Sequence, residues 1–489
     1  MPSNNKILQF KNKEKFKFDI SLRFGGVFKM NSKVYVTVCL IALISLETCS
    51  IANAAIYYVP DDYEKIQWAI NNASAGDIIY VKAGTYYERI VVDEAVVLIG
   101  ENRNTILDGN GEGTVVTIVA NNVTLESFTI RNSGRVWYDS GIWLNGCMSV
   151  QILNNNVTNC GFGIWLDSSS NNMIFGNNVT ANDYHGLVVY YSHNNTLYRN
   201  NVRYNGYDYV CGLGIYLVHS SNNVLLENTM FGNNFNFGVW GVSVRGISIF
   251  DHYINFVDTS NTVDGRPIYY WIDRHNDRVP LDAGFVALVN CTNITIENLN
   301  LVKNLNGILV AYTEHSIIKK NNITTNYIGI GLFNSSNNMA MENEIASNYY
   351  GFLMHDSFSN TISSNYIIGN VRGIHSSNSN NNLIYNNYFN NSNNVYSYNS
   401  VNIWNVTKQE GVNLLGGNYL GGNYWSDYSG TDEDNDGLGD QPYIIDPNNV
   451  DWHPIVVNAV VTPIPELSTI QLILATIVIV AIIIARKLL

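Results

Sequence analysis

The chain has 489 residues, 46% of them hydrophobic and only 14% charged, with a formal net charge of −13. That balance excludes a disordered chain, which needs low hydrophobicity and high charge, and argues against nucleic acid, whose phosphates demand a basic face. Residues 1–55 carry seven lysines and one arginine against three acidic residues, so the body that follows holds about −18. It suits calcium, a high-salt exterior or a neutral sugar.

The first segment reads as a secretory leader, with a lysine-rich start, an apolar stretch from Val34 to Leu46 and a small-residue exit at Ala52-Asn53-Ala54-Ala55. The basic region is long for a signal, and a start at Met30 gives ordinary proportions. Residues 56–74 predict a strand, Ile56-Tyr-Tyr-Val, a turn at Pro60-Asp61-Asp62 and a short helix with an apolar stripe of Ile66, Ala69 and Ile70. Such a helix can plug the open end of a solenoid.

Irregular coils begin at Gly76-Asp77 and pass through Gly84-Thr-Tyr and Thr105-Ile-Leu-Asp-Gly109. A regular repeat follows. Asn155, Asn177, Asn200, Asn228, Asn298, Asn321, Asn343, Asn365 and Asn387 form a column whose last four members are 22 residues apart. Each lies 14 residues after a glycine that opens an apolar run, as in Gly141-Ile-Trp-Leu, Gly163-Ile-Trp-Leu and Gly307-Ile-Leu-Val. Six after the glycine comes a small residue: Cys147, Ser169, Ser192, Ser220, Thr313, Ser335, Ser357, Ser379.

Short β-branched or aromatic runs bounded by Asn, Ser and Gly predict strands, and a fixed period predicts stacking of like on like. The expected fold is all-β: a single-stranded parallel β-helix over 56–410, with coils of about 22 residues. Stacked asparagines can pass amide hydrogen bonds along the axis. Between Gly238 and Gly284 the register breaks, so residues 240–283 are read as an insertion. Residues 411–456 change composition and read as a C-terminal cap, 457–469 as a linker. The apolar stretch 470–489, ending near Arg486-Lys487, reads as a transmembrane anchor or a sorting signal that leaves the body outside the cell.

Cys160 and Cys211 share a phase but stand two rungs apart, about 9.6 Å, which is too far for a disulfide. With Cys147 and Cys291 they are expected as buried or turn thiols. Asp432, Asp434, Asp436 and Asp440 occupy positions 1, 3, 5 and 9 of a loop with glycine at position 6, and Leu438 could add its carbonyl at position 7, the spacing of a calcium loop. Tyr443 replaces the usual glutamate at position 12, leaving Asp427, Asp446 or water to complete the shell.

Acid, base and cation for proton transfer on a uronic acid come together in sequence at Asp251-His252 and at Asp273, His275 and Asp277. Trp143, Trp165, Tyr216 and Trp240 fall two after the coil glycine, and strand alternation puts them on the face opposite Ile142, Ile164, Ile215 and Val239. Outside they would be a sugar-stacking strip; inside they would be core. Sequons at Asn72, Asn122, Asn156, Asn178, Asn322 and Asn405 could take glycans after export.

The opening coils resemble those of pectin lyase-like right-handed β-helix proteins. The runs Asn261-Thr-Val-Asp-Gly-Arg-Pro-Ile-Tyr-Tyr270, Asp282-Ala-Gly-Phe-Val-Ala-Leu-Val-Asn290 and Asn423-Tyr-Trp-Ser-Asp-Tyr428 resemble the NosD-like β-helix family. That resemblance implies right-handedness, kinship with carbohydrate-binding proteins and sugar hydrolases, and, through the family's namesake, accessory work in copper maturation; this chain shows no His-Met-Cys cluster of soft ligands. Pro465-Glu466, the apolar segment and its basic end resemble archaeal surface-sorting signals. The expectation is a membrane-anchored surface protein that binds envelope polysaccharide or serves structurally. A polysaccharide lyase, hydrolase or epimerase is the alternative, and a copper-maturation factor the second.

Overall fold

The computed structural model describes residues 54–206, 212–242, 246 and 248–457. The leader with Met30, Cys211, most of the linker and the apolar segment 470–489 lie outside the described residues. Among the described residues no helix is long and apolar enough to cross a membrane.

One turn shows how the repeat folds. Ser140–Asn145, Gln151–Leu153 and Asn156–Thr158 are three strands separated by corners, and each pairs in parallel with its counterpart one turn on, in Phe162–Asp167, Met173–Phe175 and Asn178–Thr180. We call the three sheets so built I, II and III. Ile142, Leu144, Ile152 and Val157 point inward and are fully buried, so the column of turns has one continuous core. Like residues sit on like, as in Ile142 on Ile164, Ile152 on Ile174 and Val157 on Val179.

The corners explain the asparagines. The backbone N–H of Asn155 donates to Oδ1 of Asn177 at 2.9 Å, and Asn177 Nδ2 donates back to the carbonyl of Ile152 at 2.8 Å. The bond repeats through Asn200, Asn228 and Asn261, then from Leu299 through Asn321, Asn343, Asn365 and Asn387 to Asn423. Two further columns fill the other corners, Asn172 to Asn255 and Asn182 to Asn236 in the first half, with counterparts through Asn338 and Asn326 in the second. The expected column of small residues is a ladder too: Cys147 N–H donates to Ser169 Oγ, Ser169 N–H to Ser192 Oγ, and Thr313 N–H to Ser335 Oγ.

Asn298 does not belong to the column in which its spacing places it. It is exposed at φ 57°, and buried Leu299 takes the ladder position. Asparagine serves these corners twice, first as an exposed left-handed residue and then as the buried rung, in pairs such as Asn171-Asn172, Asn194-Asn195 and Asn337-Asn338. At 298–299 only the first half of the pair remains. The coil glycines answer to packing instead: a Cβ at Gly329 would lie 2.6 Å from the carbonyl oxygen of Gly351 on the next turn.

The parallel stacking comes in two runs rather than the single one expected. The supposed insertion supplies ladder rungs at Asn255 and Asn261, then reverses in the antiparallel pair Thr262–Val263 with Arg266–Ile272, across the Asp264-Gly265 turn. From there sheet III of the first run continues into the long strands of the second run, which form its sheet I. Asn306–Ala311 and Ile328–Phe333 are buried at every position. Their inner residues, such as Val310 and Ile330, fill the second core, while Leu309, Ala311 and Phe333 join the first. Phe285 meets Phe237 at 5.0 Å, Phe333 meets Trp240 at 6.0 Å, and Leu305 N–H bonds the carbonyl of Phe237 at 2.9 Å. The outer side of the second run thus covers the end of the first, and strands apolar on both faces are what this double burial requires.

The other ends are closed as well. Helix Ile66–Asn72 buries Ile66, Ala69 and Ile70 against the first core. At the C-terminal end the 411–456 segment joins the stack, since Tyr424–Trp425 pairs with Tyr388–Asn390 and Trp425 stacks on Phe389 at 4.5 Å. Cys147, Cys160 and Cys291 are free and buried.

The ladders are polar, with donors facing forward, and four of them end on a carboxylate. Asp451 accepts Asn423 N–H at 2.7 Å, Asp446 accepts Asn449 Nδ2 at 2.8 Å, Asp427 accepts Asn394 Nδ2 at 2.9 Å and Asp264 accepts Asn236 Nδ2 at 2.8 Å. Burial pushes the Asp451 carboxyl up to about 7, against the lowering pull of bonds from Asn423, Trp425 and His453.

Replacing Asn343 by Ala strands the N–H of Asn321 and is expected to cost about 1–3 kcal/mol of unfolding free energy, whereas Asn298→Gly should change it by less than about 0.5 kcal/mol; denaturant unfolding compares the two. For Asp451 the folded form binds its proton more tightly than the unfolded chain, whose value is about 3.9. Its contribution to stability is therefore present below about pH 4 and lost as the pH rises through about 7. Melting curves across that window should show a downward slope that Asp451→Asn flattens.

Candidate functional site

The first run of turns carries a cleft of about 500 Å³ at the corner between sheets III and I. Tyr87, Asp108, Asn110, Asn132, Ser133, Arg135 and Asn159 line it; they come from four successive turns, Asp108 from a strand end and the others from the corners that follow. The corner between Thr129–Arg131 and Ser140–Asn145 is long, eight residues against the three between Asn156–Thr158 and Phe162–Asp167 on the next turn. Gly134 permits it, because a Cβ there would lie 2.6 Å from the backbone nitrogen of Gly113. Arg135 clamps the loop: its guanidinium bonds the carbonyl of Ser133 at 2.7 Å and Oδ1 of Asn159 at 2.9 Å, and it pairs with Asp183. Tyr184 Oη donates to the Arg135 carbonyl at 2.6 Å, and Asp139 Oδ2 accepts Val136 N–H at 2.9 Å.

Asp108 forms the cleft's acidic wall. It accepts Arg131 Nε at 2.7 Å, Asn132 Nδ2 at 2.8 Å and Asn110 N–H at 3.0 Å. Burial alone would raise this carboxyl, but those bonds hold it below the usual carboxylate range.

The same loop lays Trp137 and Tyr138 over the outer face of sheet I. Trp137 packs edge-on against Phe162 at 5.4 Å and Trp165 at 6.5 Å, and Tyr138 tilts against Trp165 at 5.2 Å. The two loop aromatics are 46% and 52% exposed, and Trp165 beneath them only 5%. Tyr138 is held at φ 85°, a costly conformation for an aromatic residue. The result is an aromatic shelf beside a cleft of amides, carboxylate, guanidinium and phenol.

The expected aromatic column is partly there. Trp143 lies against Trp165 in register, and Tyr216 follows across Val188, all on the outer face. Trp240 is not a member, because Gly238 occupies the place beside Tyr216 and Trp240 pairs with Val218. Nor is Trp165 open for stacking, since Trp137 and Tyr138 cover it. Sequence reading missed Tyr87, Asp108, Asn132, Arg135, Trp137 and Tyr138; the available signal was the length of the corner 132–139 beside the three-residue corner 159–161 of the next turn.

The acid-base candidates do not converge. Asp251 is exposed and His252 half-buried on the short helix Phe250–Tyr253, where burial lowers the His252 pKa. Asp273 accepts Asn290 Nδ2 at 2.6 Å on another turn. The Asp277 carboxyl is held low by the N–H of Arg278 and by Arg274, which bonds it at 2.7 Å, and His275 is exposed.

Among the described residues, Asp432, Asp434 and Asp440 are the one group of three acidic, histidine or cysteine side chains whose ligand atoms lie within 4.8 Å of one another. Their loop has the order of a cation loop: Asp432 accepts Gly437 N–H at 2.9 Å, Asp436 accepts Leu438 N–H at 2.8 Å and Asp440 accepts Glu433 N–H at 2.6 Å. The fourth expected carboxylate, Asp436, is engaged by Lys408, whose ammonium also lies 3.6 Å from Asp434. Leu438 is buried, and its backbone pairs with Ile455. The donor set suits a hard cation at three carboxylates, with Lys408 as its competitor.

Residues 259–430 match the family described as "Periplasmic copper-binding protein (NosD)", and residues 97–253 the one described as "Right handed beta helix region". A cell surface glycoprotein of Methanothermus fervidus is 31% identical over 128 residues, 25% of this chain and 21% of that one, so the match spans about a fifth of the relative's length. Among solved structures, the A-module of a mannuronan C-5 epimerase from Azotobacter vinelandii is 17% identical, with 69% of this chain and 94% of that chain covered and a TM-score of 0.35. The receptor-binding protein of bacteriophage Det7 is 10% identical, with 76% and 79% covered and a TM-score of 0.35.

Proposed function

Because the chain is a NosD-like right-handed parallel β-helix with a cell surface glycoprotein among its relatives, we propose that it is an exported surface protein that binds envelope or extracellular polysaccharide. The observation that carries this reading is the cleft of about 500 Å³ beside the exposed rings of Trp137 and Tyr138. A pyranose offers hydroxyls for amides and carboxylates and an apolar face for a ring, and the corner provides both kinds of partner within one loop. Successive turns at about 4.8 Å extend the surface along one direction, as a polymer requires.

Binding is favoured over turnover by the state of the carboxylates. Asp108 is tied to Arg131 and Asn132, and Asp183 is tied to Arg135, whereas an acid-base catalyst needs a carboxyl free to exchange protons near neutral pH. The apolar segment 470–489 anchors the protein in the membrane in this reading, with the β-helix outside, and calcium at Asp432, Asp434 and Asp440 stiffens the C-terminal end.

Trp137→Ala is expected to weaken retention on neutral polysaccharide about tenfold, of the order of one lost aromatic contact, in affinity electrophoresis of the full chain. Retention unchanged by the substitution sinks the shelf as the binding surface, and release of chain-shortened or unsaturated sugars sinks the preference for binding over turnover. Chelation should lower the melting temperature by roughly 2–4 °C, an effect that Asp434→Ala abolishes; a melting point indifferent to calcium removes the metal.

A further inference from the structure

Where the covering of the second run stops, the outer face of its long-strand sheet opens to solvent, and an arginine stands at the opening. Arg372 follows Tyr350 in register, and His375 on the same strand pairs with Tyr396. The guanidinium carbon lies 4.7 Å from the centroid of Tyr396 and 5.7 Å from that of Tyr350. Its Nη1 is 3.0 Å from Nδ1 of His375. A guanidinium only donates, so His375 accepts at Nδ1 and carries its proton on Nε2. Burial, with the charge of Arg372 beside it, brings the His375 pKa down to about 4, so the ring is neutral at physiological pH and keeps that arrangement.

Arg372 makes no ion pair with a carboxylate among the described residues, in a chain with 40 acidic residues and a net charge of −13. Arg89, Arg131, Arg135, Arg199, Arg274 and Arg278 are paired with carboxylates, while Arg203 and Arg266 spend their donors on an amide and a backbone carbonyl. Two rings and an imidazole hold its plane, while its remaining N–H groups have no anion. Tyr396 is 40% exposed beside it, and Tyr349 packs against Tyr350 at 4.8 Å. A planar donor fork fixed in place, next to aromatic faces, is organised to receive an oxyanion carried on a sugar ring.

We propose that Arg372, His375, Tyr350 and Tyr396 form a subsite for the carboxylate or sulfate group of an acidic saccharide. The carboxylate oxygens of a uronic acid, or two oxygens of a sulfate ester, take the free edge of the guanidinium, with Nε2–H of His375 as a further donor. The subsite rests on the reading of the protein as a glycan binder and narrows its ligand to polymers with acidic units. General charge attraction cannot supply this preference, because the chain as a whole repels polyanions.

The test compares retention of the full chain on polygalacturonate, dextran sulfate and uncharged dextran at about 0.15 M salt, where longer-range charge effects are screened beyond about 8 Å. The wild-type protein should prefer an acidic polymer to dextran, Arg372→Gln should lose about tenfold or more on the acidic polymer with dextran unchanged, and Arg372→Lys should recover only part. Competition by free galacturonate or by inorganic sulfate tells which oxyanion the site takes. Trp137→Ala separates the two readings, since it should weaken dextran retention and leave the acidic preference standing. An acidic polymer held no better than dextran, or held equally by Arg372→Gln with an unchanged melting curve, overturns the subsite. If Arg372→Gln melts lower, Tyr396→Ala decides: loss of acidic preference supports the subsite, and its retention refutes it.

Discussion

Within the ladders a buried asparagine such as Asn177 or Asn343 takes the backbone N–H of the preceding turn on its Oδ1 and returns Nδ2 to a carbonyl of that same turn, so a corner that would bury unpaired backbone groups becomes saturated. Leaving such groups unpaired costs about 1–3 kcal/mol each, and every turn has three such corners. Strand lengths, corner positions and the placement of inward residues all have to keep these side chains in line. The forward direction of the donors then fixes what the chain needs at its far end. That need is met by carboxylates, at Asp451 for the column through Asn387 and Asn423 and at Asp427 for the column through Asn370 and Asn394.

Much of this was legible in the sequence because the period repeats identically. Gly307, Gly329, Gly351 and Gly373, with Asn321 to Asn387 behind them, could be aligned by counting. Helix Ile66–Asn72 showed in the three residues of its buried stripe. Counting failed where the asparagine pair was broken, at Asn298-Leu299, since an exposed left-handed corner residue and a buried rung share one letter. It failed also at Trp240, whose strand enters its sheet shifted by two residues relative to the glycine. The change of direction at Asp264-Gly265 had a sign that was not used: Gly307-Ile-Leu-Val and Phe285-Val-Ala-Leu-Val are apolar at successive positions, which a strand with one face in water is not.

The candidate site was less readable for a physical reason. Its residues come from corners of different turns, and outward-facing corner residues, unlike the buried rungs, carry no periodic constraint that would mark them. Asp108, Asn132 and Asn159 look like any other turn residues until stacking brings them to one edge, and Trp137 gains meaning only from the loop that Gly134 and Arg135 fold over the sheet. The acid and histidine pairs that stood out in sequence were adjacent along the chain, whereas adjacency across turns decides chemistry in a solenoid. Arg372 illustrates the same point, since its partners Tyr350 and Tyr396 are more than twenty residues away in either direction.

The uniform register between Asn321 and Asn387 has a consequence for how such a chain changes length. With every rung bonding its neighbours alike, one whole repeat can be duplicated or removed and each new contact is one that already existed. A gain or loss of a single residue within a strand instead turns inward side chains outward and takes the corner amides out of line. Variation in such a lineage is therefore stepwise, in units of a turn, and finer change is confined to the corners. The distance between the cleft and the end of the stack can then be altered in increments of about 4.8 Å, without redesign of either.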